Sequence, residues 1–169
     1  MPTGLKQSSS VVSIGFKSLE TAANTFNQES IDLNLSPLDR EVFVVLAINL
    51  DPQTPDAVAG TDTSVQSSLT TTSQTAVVGL DNSNCLAAST NSIKSANPTS
   101  AVAYSTLGSE TPPSTLDYIG IIATNDFFVQ VRGVANTGAK FVAGKLYGYR
   151  AVASADIYAA LVQSEVLSA

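Results

Sequence analysis

The chain has 169 residues, a net charge of −6 at pH 7, 44% hydrophobic residues and only 13% charged residues. This length suits one domain that buries a core without covalent staples. The composition excludes an intrinsically disordered chain, because it is too apolar and too weakly charged. A single cysteine excludes a disulfide scaffold, and no apolar stretch approaches the length of a membrane span.

The charge pattern argues against a nucleic-acid partner. No basic residue lies between Arg40 and Lys94, whereas five acidic residues fall there. An acidic chain without a basic arm releases no counterions from nucleic acid, so we expect no direct nucleic-acid contact. Residues 1–10 contain one lysine and no apolar run, which predicts synthesis in a cytoplasm without a secretory signal. No membrane partner is expected.

The first half of the chain carries the periodicity of β-strands. Val11–Phe16 alternates well enough for a first strand, and Ser30–Leu35 alternates strictly, with its apolar residues on one face. Glu41–Leu50 is a short, β-branched apolar run bounded by prolines. It predicts a central strand covered on both faces.

The middle of the chain alternates loops and polar strands. Asp51–Thr63 contains two Pro, one Gly and three Asp, and its length predicts a functional or mobile loop. Val65–Val78 is rich in Thr and Ser, which predicts an exposed strand. The remaining predictions are a turn at 79–84, a short strand or one helical turn at Cys85–Ala88, a strand at Ala101–Leu107 and a second loop at Gly108–Ser114.

The last third predicts a hairpin followed by a helix. Strands are expected at Tyr118–Ala123, Phe127–Val134 and Lys140–Val152, with Asn136 and Gly138 suited to positive φ in the hairpin loop. Only the tail changes period, where a helical stripe formed by Ile157, Tyr158, Leu161 and Val162 follows Ser154, a candidate N-cap. A helix of about twelve residues is marginal alone, so it must dock on this domain or on a neighbour.

These elements predict an all-β fold: an antiparallel β-sandwich or jelly roll with a short C-terminal helix. Residues 1–28 are expected to form an extended N-terminal arm. Residues 29–169 are expected to form a single β-sandwich domain that includes the terminal helix at 154–166. If the arm is exchanged between subunits, its deletion should abolish assembly and leave the fold intact.

The sequence offers little for catalysis. Without histidine, Ser-His-Asp and Cys-His mechanisms are unavailable. A Ser-Lys dyad is formally possible, but no motif surrounds Lys94, Lys140 or Lys145, and Cys85 fits a small buried hydrophobe better than a nucleophile. No glycine-rich phosphate motif is present. We therefore expect no enzyme and no cofactor, although a fold that gathered carboxylates could still make one.

Three aspartates in the first loop are weak candidates for a metal site. Asp51, Asp56 and Asp62 could hold calcium together with backbone carbonyls, but their spacing follows no EF-hand. A solvated loop is the favoured interpretation, so no metal site is assigned. The five tyrosines could build a stacking surface, but two of them alternate on one strand, which favours packing within a sheet.

The segment from Leu116 to Leu161 contains ATNDFFVQVRGVANTGAKFVAGKLYGYRA followed by DIYAAL. Its hairpin, aromatic return strand and short closing helix resemble the end of small β-sandwich virion proteins: jelly-roll capsid or head-decoration proteins of tailed phages and related viruses. The resemblance implies subunit contacts through strand edges and terminal segments, and no catalytic residues. The missing basic arm favours an outer shell or decoration role.

The sequence thus predicts a viral structural protein, a capsid or capsid-decoration subunit that self-assembles with copies of itself and other virion proteins. Its expected location is the virion. The suspected subunit contacts are the arm, Met1 to Gln28, and the terminal helix, Ser154 to Val166. The alternative is a host- or glycan-binding domain of a tail fibre or surface adhesin, with tyrosine-rich strands and an acidic loop that holds calcium.

Overall fold

The fold is a sandwich of two antiparallel sheets with one helix packed on its outside. It is seen in a computed structural model that describes residues 2–106, 108–110 and 115–168. The predicted all-β class with a C-terminal helix is confirmed. The described strands are β1 Leu5–Gln7, β2 Val12–Leu19, β3 Asn27–Asp32, β4 Glu41–Pro52, β5 Thr63–Thr70, β6 Cys85–Asn97, β7 Ser100–Thr106, β8 Gly108–Glu110, β9 Gly120–Ile122, β10 Asp126–Val134 and β11 Phe141–Ala153, followed by α1 Ala155–Ser168.

The first sheet is built around β4 and β11, which pair along almost their whole length. The other edge of β11 pairs with β1 and β2, and the other edge of β4 pairs with β8 and β9. The second sheet has the order β3-β10-β5-β6-β7. The main core lies between the sheets, and its largest fully buried side chains include Phe43, Phe127, Ile48 and Leu69.

A β-bulge in β4 decides which of its residues face this core. Tyr147 pairs with Ala47 and Gly148 pairs with Val45, so Leu46 is an extra residue on β4. An extra residue reverses the alternation of sides beyond it. Before the bulge Phe43 and Val45 point into the sandwich, and after it Ile48 and Leu50 do so.

The outer face of the first sheet carries a second core under the helix. Val42 and Val44 of β4 are fully buried there with Tyr149 and Ala151 of β11. The predicted helical stripe covers them: Ile157, Tyr158, Leu161 and Val162 all pack against this cluster. The prediction that β4 is covered on both faces is therefore confirmed, and the helix docks on its own domain.

The N-terminal residues belong to the first sheet. β2 pairs with β11 from Val12 to Leu19, and β1 pairs with the end of the same strand. Phe16 is buried in the main core, where its ring meets that of Phe127 edge-on at 5.7 Å. Deleting residues 1–28 would expose the edge of β11 and remove this aromatic pair. We therefore expect the deletion to destabilise the fold, rather than leave it intact.

The prediction of an exposed strand over Val65–Val78 is wrong. β5 ends at Thr70, and its last residues are buried.

The segment 71–78 lies across the outer face of the second sheet and is held by hydrogen bonds around the buried side-chain amide of Gln130. Gln130 Nε2 donates to Gln28 Oε1 (2.9 Å) and to Thr70 Oγ1 (2.7 Å), and Gln130 Oε1 accepts from Ser68 Oγ. Backbone amides of the segment donate to the same network, from Gln74 to Gln28 and from Val78 to Ser68.

Other sequence predictions differ from the structure in detail. Asn34 has a φ of 51°, so β3 stops at Asp32 although Leu33 and Leu35 are buried as predicted. In the hairpin loop the positive φ belongs to Ala135, not to Asn136 or Gly138. Cys85 begins the long strand β6. Of the predicted loop at Gly108–Ser114, residues 108–110 form β8 and residues 111–114 lie outside the described part of the chain.

The close packing of β4 against β11 leaves no room for a side chain at Gly148. A β-carbon added at Gly148 would collide with the carbonyl oxygen of Val44 and the ring of Phe43. We expect Gly148→Ala to lower the free energy of unfolding by about 1–3 kcal/mol, the usual cost of overpacking. Urea denaturation measures it.

Gly15 provides the matched control, because it lies in β2 of the same sheet and a β-carbon there would meet nothing within 4 Å. Gly15→Ala should be neutral or stabilising by up to about 1 kcal/mol. Equal losses in both variants would show that the space beside Gly148 is not the constraint.

Candidate functional site

The three candidate metal ligands do not converge. Asp56 binds Lys140 and Asp62 binds Lys94, while Asp51 lies exposed at the end of β4. Among the described residues, no group of three or more His, Cys, Asp or Glu side chains could hold a metal ion. The three aspartates therefore stay weak candidates without a common geometric centre.

Asp56 is instead a structural anchor for the β10–β11 hairpin. One carboxylate oxygen contacts Lys140 Nζ at 2.6 Å, and the other accepts from the backbone and hydroxyl of Thr137 and the backbone of Gly138. The bond to Lys140 is the main reason why the pKa of Asp56 lies well below its usual value. Lys140 is only 5% exposed, so Asp56 also compensates a charge that is largely removed from water.

Sequence reasoning missed the rest of this anchor. Glu20 is buried and accepts hydrogen bonds from the backbone amides of Gly133 and Lys140, across the two strands of the hairpin. Asn24 and Asn136 exchange bonds between side chain and backbone. These residues come from three loops, so no sequence spacing reveals them. Their bonds are all internal to the subunit, which marks the cluster as a support for the fold.

The terminal helix is fastened by a second buried carboxylate. Glu165 is 8% exposed and accepts hydrogen bonds from the backbone amides of Ala123 and Thr124, the latter at 2.8 Å. Burial raises the pKa of Glu165 above its usual value. The helix residues at Val166 and Leu167 remain exposed. The predicted contact segment Ser154 to Val166 thus has one face used within the subunit and another face open.

The most exposed strand of the sandwich is β7. Every residue from Ser100 to Thr106 is exposed, and β7 is the last strand of the second sheet. Val102 and Tyr104 are 56% and 58% exposed and, two residues apart, lie on the same face of the strand. Among the described residues, no strand pairs with the free edge of β7.

Other edges of the sandwich carry the usual protection against pairing. The opposite edge of the second sheet, β3, bears the exposed acids Glu29 and Asp32. On the β2 edge, Lys17 lies over the ring of Phe141, and Asn27 of β3 donates to Ser18 across the gap. Charges and coverage of this kind keep edge strands from adding new partners. β7 has no charge and no proline.

Two shallow depressions, each about 310 Å³, flank the first loop on the β6–β7 hairpin. Ile93 lines both depressions; Pro55 and Tyr104 line one, and Val58 and Pro98 line the other. The tyrosines do not gather into one surface: Tyr118, Tyr149 and Tyr158 pack in the cluster between the helix and the first sheet, whereas Tyr147 on β11 and Tyr104 on β7 are exposed on different sheets. Among the described residues, no helix has both the length and the apolarity needed to cross a membrane.

Comparisons with known proteins give little guidance. No family model matches the chain, and no curated protein matches it. Among solved structures, a chain described as Desmodium yellow mottle tymovirus aligns with 92% of this chain and 95% of its own length, at 16% identity and a TM-score of 0.29. A TM-score this low carries no argument about fold or function. The likeness to tailed-phage proteins stays a prediction.

Asp56→Asn tests the hairpin anchor. The lowered pKa means that Asp56 stabilises the fold above the usual carboxyl pKa of 3.8 and that this stabilisation is lost as the pH falls towards the folded value. We expect the variant to unfold more easily than the wild type at pH 7, and the difference to shrink below pH 4. Asp51→Asn, at an exposed position, is the control and should change little. A difference that does not vary with pH would contradict the ion pair.

Glu165→Gln tests the hydrogen bonds that fasten the helix, and we expect its effect on stability to depend on pH in the opposite direction to that of Asp56→Asn. Because burial raises the pKa of Glu165, the folded state holds its proton more tightly than the unfolded state. Stability from this group is therefore greatest below the usual pKa of 4.5 and falls as the pH rises through the folded value. The wild type should lose stability relative to the variant between pH 4 and pH 7, as measured by thermal unfolding. A relative gain would exclude the raised pKa.

Proposed function

We propose that this chain is a viral structural protein, a capsid or capsid-decoration subunit that acts by self-assembly rather than by catalysis. Its partners would be copies of itself and other virion proteins, and its location would be the virion after synthesis in a host cytoplasm. The viral part of the proposal comes from the resemblance of Leu116–Leu161 to virion β-sandwich proteins. The self-assembly part is supported by the subunit surface.

The observation that carries self-assembly is the open edge of β7. β7 is a seven-residue strand without charge or proline, no described strand pairs with its outer edge, and it presents two large apolar side chains to solvent. Monomeric proteins rarely leave such an edge unprotected, because it invites another strand to pair. The hydroxyl-rich composition supports the same function, since few charges must be desolvated when subunits meet.

The other two suspected contacts stay proposals. Within the suspected arm, Leu5–Gln7 and Val12–Leu19 already pair with β11 in their own subunit, so an exchange between subunits would replace those pairings rather than add to them. The terminal helix still offers Val166 and Leu167 on its open side.

The second candidate is a host- or glycan-binding domain. It is favoured by the depression beside Tyr104, because an exposed tyrosine next to polar side chains is suited to a sugar ring. This function predicts saturable binding to a polysaccharide on a glycan array. Loss of binding with EDTA, or in Asp51→Asn and Asp62→Asn, would show that calcium held by the acidic loop takes part in glycan binding. No binding across a broad panel would exclude this candidate.

Self-assembly is tested by the mass of the purified chain in solution. We expect light scattering coupled to size exclusion to show oligomers that grow with concentration, and negative-stain images to show rings, sheets or shells. The open edge of β7 is the physical reason. A monomer over the whole accessible concentration range, with and without added virion proteins, would contradict the proposal.

A further inference from the structure

We infer that β7 pairs with β7 of a second copy, antiparallel and about a two-fold axis at Ala103, so that the second sheets of two subunits join into one continuous sheet. This inference rests on the proposed self-assembly and names the surface that performs it. Three observations support it: the edge is open, the strand matches itself, and its midpoint fixes the register.

The open edge supplies the backbone hydrogen bonds. β6 pairs with one side of β7 from Thr90–Thr106 through Asn97–Ser100, and no described strand occupies the other side. Unpaired backbone donors and acceptors on an edge strand are a template for a further strand. In an antiparallel sheet, successive residues of a strand direct their backbone groups to opposite neighbours, so alternate residues of β7 point towards the edge at which a second β7 would pair.

The side chains of β7 complement those of a second β7. In an antiparallel pair centred on Ala103, Val102 of each copy lies opposite Tyr104 of the other copy, and both pairs fall on the same face. Aromatic and β-branched residues are favourable cross-strand neighbours. Both side chains are more than half exposed in the single subunit, so this contact covers apolar surface that the fold leaves open.

The charges permit this pairing. β7 has no charged residue, so two copies meet without repulsion. On the neighbouring strand, Lys94 is in register with Val102, and Asp62 balances its charge at 3.2 Å. The opposite edge of the sheet, β3, carries the exposed acids Glu29 and Asp32 on its two faces, so it would place a charged side chain beside each face of the uncharged β7. The edge of β7 therefore suits β7 of a second copy better than β3 of a second copy.

The length of the strand selects the register. Ser100–Thr106 has Ala103 at its midpoint, so an axis there lets all seven residues pair. An axis at Tyr104 would pair only five residues and would place one tyrosine against the other.

A single seven-residue contact is small by the standard of stable interfaces. The isolated pair is therefore expected to be weak, and repeated contacts in an assembly would strengthen it.

Cysteine cross-linking tests the register. In a Cys85→Ser background, Ala103→Cys places two thiols opposite each other on the axis, where directly opposed residues are close enough for a disulfide. Ala101→Cys is the matched control, because residue 101 would face Ser105 rather than its own copy. We expect a covalent dimer from Ala103→Cys under mild oxidation and several-fold less from Ala101→Cys. More cross-linking at 101 than at 103 would overturn the register.

Charge reversal tests the surface itself. Ala103 is exposed, so Ala103→Lys and Ala103→Glu should fold normally, yet each puts like charges face to face across the axis. We expect each variant alone to associate about tenfold more weakly than the wild type, and their mixture to recover association. Circular dichroism and the unfolding midpoint verify the fold.

Ala159→Lys separates this contact from the terminal helix. Ala159 is also exposed, but it lies on α1 far from β7 in the chain. We expect this substitution to leave association unchanged. If Ala159→Lys blocks oligomers and the Ala103 variants do not, the helix is the contact and the β7 pairing is wrong, while self-assembly stands. If the wild type never associates, the proposed function fails with it.

Discussion

The bulge at Leu46 in β4 is the constraint on which the architecture depends. β4 contributes to both cores, as does β11, and the alternation of its apolar residues must fill the sandwich interior on one face and the space under the helix on the other. One extra residue lets Phe43 and Ile48 point to the same side although they are five positions apart. The close packing of these strands also requires Gly148 on β11, because the carbonyl oxygen of Val44 and the ring of Phe43 occupy the space of a β-carbon there.

Two carboxylates, the partly exposed Asp56 and the buried Glu165, fasten the ends of this architecture, and their effects on stability respond to pH in opposite directions. Asp56 is held ionised by Lys140 at the β10–β11 hairpin, so acid weakens that end. Burial between the helix and the sheet favours the neutral form of Glu165. A lower pH therefore reduces the free-energy cost of burying this carboxylate. Each group bonds to residues at its own end of the fold, Asp56 to the hairpin and Glu165 to the backbone of Ala123 and Thr124. β7, with its open edge, belongs to the second sheet, and its one titratable side chain is that of Tyr104.

The sequence predicted what depends on local periodicity and missed what depends on topology. The strand of β4, the hairpin strands and the helix stripe follow from alternation and spacing, and the structure confirms them. The burial of β5 could not be predicted, because its serines and threonines are satisfied by Gln130 and by a segment that folds back over them. The exposed edge of β7 was equally hidden, since edge position depends on strand order and not on the composition of the strand. Likewise, Glu20 and Asn136 meet only after folding.

The buried Gln130 network uses neutral amides and hydroxyls where the hairpin and the helix use carboxylates. Hydrogen bonds between neutral groups have no proton to lose and no net charge for counterions to screen. The segment 71–78 should therefore keep its place over the second sheet at any ionic strength and at any pH at which the fold survives. An assembly surface on the same sheet would then rest on a platform of constant shape, in a dilute buffer as much as in a concentrated salt solution.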